Sequence, residues 1–116
     1  MTPPAPSLDL LKGTLDLLIL KSLSWGAAHG YAIARWIERL TGDTLQVGEG
    51  SLYPALHRLV KRGWLKAECG VSEANQKARY YQLTPAGKAQ LLRESDRWSQ
   101  LVHAIGRIMN PARDPE

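Results

Sequence analysis

The sequence predicts a mainly α chain with a small β-hairpin: a winged helix-turn-helix plus a C-terminal dimerisation helix. Three observations predict it. Apolar residues recur at three- and four-residue steps in three successive segments, and two strand-like runs parted by a polar loop follow the third. Positive charge collects in that third segment and the hairpin behind it. A seven-residue apolar repeat marks the last quarter of the chain.

The 116 residues fit one domain, and a hydrophobic share of 44% is enough to build a core. Residues 1–7 hold three prolines without periodicity and read as a flexible tail. Residues 8–84 read as the winged helix-turn-helix DNA-binding domain, 85–110 as the dimerisation helix and 111–116 as a second tail. No apolar run reaches the ~18 residues of a membrane span, so no membrane partner is expected. The start lacks the pattern of a signal peptide. Cys69 is the only cysteine, which excludes an intramolecular disulfide and a multi-cysteine metal site. A reduced, cytoplasmic setting is the expectation.

Each element has its own signals. Leu8, Leu11, Leu15, Leu18, Ile19 and Leu23 share one helical face, with Ser7 or Asp9 as cap and Trp25-Gly26 as the end. A second helix runs from about His29 to Leu40 and stops at Thr41-Gly42. Thr44 to Val47 is short, partly β-branched and alternating, which predicts a brief strand. Ser51 is the expected cap of the third helix, with Pro54 in its first turn and Gly63 at its end. Strands are expected at Trp64–Glu68 and Ala78–Leu83, with the polar loop Gly70 to Lys77 as the wing. Thr84 caps the final helix, Pro85 takes its first position, and Asn110-Pro111 stops it.

The charge pattern points to nucleic acid. Between His57 and Tyr81 stand Arg58, Lys61, Arg62, Lys66, Lys77 and Arg79 against only Glu68 and Glu73, which accounts for the chain's whole net charge of +4. Such clustering is the footprint of a phosphate backbone, although a solvated basic face gives the same pattern. In a helix-turn-helix one helix enters the major groove and presents its early residues to base edges. The third helix offers Ser51, Tyr53, His57 and Arg58 for this. Arg58 is the expected base reader, through a bidentate pair to guanine worth ~1–3 kcal/mol of discrimination. Ser51 and Tyr53 suit phosphates equally well, and Lys61 and Arg62 suit the backbone. Lys77 and Arg79 place positive charge in the wing. Double-stranded DNA is therefore the expected partner. An RNA platform of stacked aromatics is not visible.

In the final helix Leu91, Leu92, Trp98, Leu101, Val102, Ile105, Ile108 and Met109 form a stripe. Leu91, Trp98 and Ile105 are spaced by seven, as are Leu101 and Ile108. A monomer would expose this stripe, so a homodimer is expected, unless the stripe folds back on the first helix. Trp98 has two readings: a packed core side chain, which general experience of aromatic stripes favours, and a stacking surface for a small planar aromatic effector.

Catalysis is not expected. His29, His57 and His103 fall on separate segments, Cys69 has no adjacent base, and no HExxH, GxSxG or Walker pattern occurs. Neither a cofactor nor a metal site is expected. The remaining alternative is a winged helix that contacts only proteins, which would lack salt-sensitive DNA affinity.

The segment Glu49-Gly50-Ser51-Leu52-Tyr53-Pro54-Ala55-Leu56-His57-Arg58-Leu59 closely resembles the recognition-helix signature of the PadR family of transcriptional regulators. Leu11 to Asp16, His29-Gly30-Tyr31 and Arg79 to Gly87 resemble further motifs of that family in the same order, so the likeness spans roughly residues 8–90. Val60 departs from it, since an acidic residue is common there. The resemblance implies a homodimeric repressor that binds a palindromic operator and is released by a small molecule. It implies DNA-facing roles for Ser51, Tyr53, Pro54, His57 and Arg58, with Lys77 and Arg79 in the wing. Some members bind aromatic drugs between their dimer halves, which adds to the reading of Trp98. The single long C-terminal helix resembles the smaller subgroup.

Overall fold

The computed structural model describes residues 12–111. The proposed caps Ser7 and Asp9, the first leucines of the apolar face and, apart from Pro111, both predicted tails lie outside them. The elements run α1 (Lys12–Ser22), a 3-10 turn (Leu23–Trp25), β1 (Ala28–His29), α2 (Gly30–Leu40), α3 (Glu49–Lys61), β2 (Leu65–Val71), β3 (Lys77–Leu83) and α4 (Pro85–Met109). This is a winged helix with a long C-terminal helix, as the sequence predicts.

The core lies where α1, α2 and α3 meet the sheet. Leu15, Ile19 and Leu20 of α1, Ile33 and Ile37 of α2, and Leu52, Leu56 and Leu59 of α3 are buried together with Leu65, Tyr81 and Leu83 of the hairpin. Most of these are residues that helical and alternating periodicity picks out, because burial of one face produces such a pattern; Leu20 is buried outside the predicted face, and Leu18 of that face is only partly buried. Burial also pushes the Tyr81 phenol above its ordinary value, and the Arg79 charge partly offsets this.

The third strand is not where the sequence places it. Thr44 to Val47 forms no strand. The Leu45 N–H donates to the Thr41 hydroxyl and the Val47 N–H to a Glu38 carboxylate oxygen, at 3.2 and 3.0 Å. Side chains at the end of α2 thus satisfy a backbone that has no strand beside it. The sheet is instead completed by Ala28 and His29, which pair antiparallel with Tyr81 and Tyr80 in the order β1-β3-β2. Two residues are too few for alternation to reveal.

The hairpin and α4 are joined by a close fit. Thr84 donates from its hydroxyl to the Gly63 carbonyl at 2.6 Å and accepts from the Gly87 N–H at 3.0 Å, so one side chain caps α4 and ties it to the end of α3. A Cβ on Gly87 would lie on the Trp64 carbonyl oxygen. Only glycine lets α4 approach β2 this closely.

Candidate nucleic-acid interface

Helix α3 begins earlier than the sequence predicts. Gly48 is its N-cap, and the Ser51 and Leu52 N–H groups donate to the Gly48 carbonyl at 3.1 and 2.9 Å. Ser51 is therefore not the cap. It lies inside the first turn, with its hydroxyl exposed and free of a capping duty. Pro54 falls in the second turn, so the ladder bond to the Gly50 carbonyl cannot form there.

With 3.6 residues per turn, the buried arc of α3 is Leu52, Ala55, Leu56 and Leu59. Gly50, Pro54, His57 and Lys61 run along the opposite side and are exposed. Tyr53 and Arg58 flank that stripe, one on each edge. Both flanking side chains are drawn away from the stripe. The Tyr53 ring lies over Gly30 at the start of α2, where an added Cβ would meet it at 3.0–3.2 Å. It nevertheless remains 45% exposed.

Arg58 is placed differently from the sequence expectation. Its Nη2 donates to Asp16 Oδ1 of α1 at 2.7 Å, and the two side chains are only 27% and 14% exposed. Its Nε is buried and has no hydrogen-bond partner among the described residues. The guanidinium expected to read guanine is thus turned toward the protein. Helical spacing correctly puts Arg58 on the outward edge. It does not reveal that a long side chain can reach a carboxylate 42 residues earlier.

Past the end of α3, Arg62 stacks on Trp64 with 5.2 Å between guanidinium and ring centroid. The wing is a five-residue loop between β2 and β3, shorter than the sequence suggests because both strands extend further. Ser72 and Gln76 close it through N–H to carbonyl contact at 2.7 Å, and Asn75 takes a positive φ of 60°. Lys77 and Arg79 are exposed on the strand that leaves this loop. Tyr80 packs edge-on against His29 at 5.6 Å and donates its hydroxyl to the Val71 carbonyl. His29 is engaged as well, accepting from the Ala32 N–H as the cap of α2.

Between the wing and the start of α2 lies an open cleft of about 1000 Å³, lined in part by Tyr31, Arg35, Arg39, Tyr53, Lys77 and Arg79. The two α2 arginines were missed by the sequence reading, which used that helix only for its apolar side. Their signal was present: Arg35 and Arg39 are four residues apart on one exposed edge. The first helix of a helix-turn-helix crosses the DNA backbone, which suits such a pair.

Helix α4 packs on α1. Leu91 is buried, whereas Trp98, Leu101, Val102 and Ile105 are about half exposed and Ile108 is 77% exposed. A second cleft of about 600 Å³ opens between the helices, lined by Gly13, Thr14, Leu17, Trp98 and Leu101 together with the polar Glu94, Arg97 and Gln100. Among the described residues no helix is long and apolar enough to cross a membrane.

The family profile described as "Transcriptional regulator PadR-like family" matches residues 19–93. The chain belongs to the PadR-like family. It is thus a DNA-binding transcription regulator and not an enzyme. It is 31% identical over 101 residues to an uncharacterized protein of Lysinibacillus sphaericus, covering 87% of this chain and 93% of that one. A transcriptional regulator of Mycobacterium tuberculosis is 30% identical over 98 residues, with 84% and 87% covered. The crystal structure of a PadR-like transcriptional regulator from Bacillus cereus has a TM-score of 0.74 to it at 29% identity, over 86% of this chain and 95% of that one.

Proposed function

We propose that this PadR-like regulator is a homodimeric repressor. It grips a palindromic operator through α3 and the wing, and it is released by a small planar aromatic ligand held between α1 and α4. The observation that carries the reading is the outward stripe of α4, since Trp98, Leu101, Val102, Ile105 and Ile108 stand about half exposed or more in a single copy. An apolar patch of this kind needs a cover, and a second copy on a two-fold axis is self-complementary. Such a dimer carries two α3 helices to half-sites about 34–36 Å apart. Repression itself rests on the family likeness. A cytoplasmic setting goes with that role.

In this reading Ser51 and His57 face base edges, Pro54 offers an apolar contact, and Tyr53 reaches a phosphate through its hydroxyl. Lys61, Arg62, Lys77 and Arg79 hold the backbone, joined by Arg35 and Arg39. Arg58, at the edge of the stripe, ties α3 to Asp16 of α1. The release site is supported by the α1–α4 cleft, where the half-exposed Trp98 offers a stacking face. Quenching of Trp98 fluorescence by planar aromatics in a single-tryptophan variant tests that site. An unchanged ligand response in Trp98→Phe sinks it.

The experiment for DNA binding is a mobility shift on the regulator's own upstream DNA over a salt series with random competitor. Saturable, competitor-resistant binding that weakens with salt is expected. Binding lost equally to any competitor would favour a winged helix that contacts proteins instead.

A further inference from the structure

We propose that Asp16 is a specificity-determining positioning residue: it withholds the Arg58 guanidinium from DNA, so that α3 reads its operator without that arginine. This rests on α3 being the reading helix.

Arg58 lies seven residues after Ser51, on the same outward edge of α3. From there an unrestrained arginine reaches phosphates and guanine edges with five donors. Asp16 intercepts it at 2.7 Å from Oδ1 to Nη2, in a site where both side chains are largely sheltered from water. Asp16 is the only acidic residue of α1, so nothing else on that helix can take its place.

The clasp is releasable rather than permanent. Among the described residues only part of the guanidinium is satisfied, because Nε is buried and finds no partner there. Leaving the clasp breaks one ion pair but returns an unpaired donor to water or to a phosphate, which offsets part of the loss. The charge of Asp16 therefore decides where Arg58 spends its time. Held back, Arg58 contributes nothing to the attraction that all DNA sequences share, and operator choice is left to the smaller groups on the stripe. Once released, it adds a backbone or guanine contact that was absent before. Overall affinity rises and discrimination changes, since specificity is a difference between affinities.

The test uses a 30-base-pair duplex of random sequence and the slope of log binding constant against log salt. Each phosphate neutralised adds about 0.9 to that slope on B-form DNA. Arg58→Gln is expected to leave the slope at its wild-type value, because this arginine is not on DNA. Asp16→Asn should steepen it by about 0.9. The double variant should return to wild type, and Asp16→Glu, which keeps the charge, should match it too. Operators selected from a random pool by Asp16→Asn should gain a guanine preference at one new position per half-site. A lowered active fraction scales the binding constant but not the slope, so partial misfolding cannot imitate these results. Asp16→Ser serves if the asparagine variant does not fold. A flatter slope in Arg58→Gln, or an unchanged slope in both Asp16→Asn and Asp16→Ser, overturns the proposal. Lys61→Ala separates the two levels of the argument. If it flattens the slope while the Asp16 variants do nothing, only the withholding fails. If Lys61→Ala also does nothing, α3 is not on DNA and the reading beneath it fails as well.

Discussion

Ile105→Ala tests the stripe on α4 where it is least ambiguous. Ile105 is 47% exposed in a single copy, so about half of its surface is left for a partner to cover. Full burial of an isoleucine side chain is worth ~1.5–3 kcal/mol, and half of a middle value is about 1 kcal/mol. A two-fold dimer contains the site twice, which makes the loss about 2 kcal/mol per dimer. At 1.4 kcal/mol per decade this raises the dimer dissociation constant about thirtyfold. Ile105→Glu should do more, since it buries a charge against apolar neighbours. Sedimentation equilibrium over a concentration range gives the constant directly, and thermal unfolding of the dilute protein checks that each protomer stays folded. The same stripe predicts the converse for Leu91, which is already buried in one copy. Leu91→Ala should lower protomer stability first. If Ile105→Ala and Ile105→Glu leave the association constant of the wild type unchanged, α4 is not the seam.

Three further outcomes follow from the same geometry. Lys77→Ala should weaken binding to all duplexes about equally and flatten the salt slope by about 0.9, and a loss confined to the operator would assign Lys77 to base reading instead. Gly87→Ala drives a methyl group onto the Trp64 carbonyl oxygen, so α4 must lift from β2. A cost of ~1–3 kcal/mol for overpacking, or a melting temperature lower by several degrees, is expected by calorimetry. Gly30→Ala should spare stability to within about 1 kcal/mol, since alanine suits a helix better than glycine. It should displace the Tyr53 ring and reduce operator affinity severalfold in a mobility shift. Unchanged affinity would mean that Tyr53 does not touch DNA.

The parts of the fold that were legible in the sequence are those where a single physical requirement acts locally. Thr84-Pro85 announces a helix start because one residue supplies an acceptor and the next needs no donor. Leu52, Leu56 and Leu59 announce a buried face because only one side of α3 meets the core. The failures share a cause as well. Residues 44–47 have strand-like chemistry but no strand to pair with, and Ala28-His29 has almost none yet meets β3. Gly48 caps α3 through its backbone alone, so the more obvious serine misled. Strand pairing and helix starts of this kind depend on neighbours that local pattern does not contain. The outward face of α3 shows the same division. His57 and Lys61 are where the helical wheel puts them, because nothing nearby competes for them. Arg58 has the expected angle, but its guanidinium meets Asp16, which is distant in sequence and adjacent in space.

That last contact gives α1 more than one load to bear on a single turn. Leu15 is in the core at 4% exposure, Asp16 holds Arg58 of α3, and Thr14 and Leu17 form a wall of the cleft that faces Trp98. A ligand can shift a protein only by as much as it prefers one arrangement over another. Any occupant of the cleft that favours a displaced α1 must therefore move the partner of Arg58 or strain the core around Leu15. Cores resist continuous deformation, whereas an incompletely satisfied ion pair yields readily. Yielding of the clasp alone would free Arg58 and add a DNA contact, so a ligand that releases DNA must act through the α4 seam and the spacing of the two α3 helices, and by reciprocity DNA lowers the affinity for that ligand by the same factor.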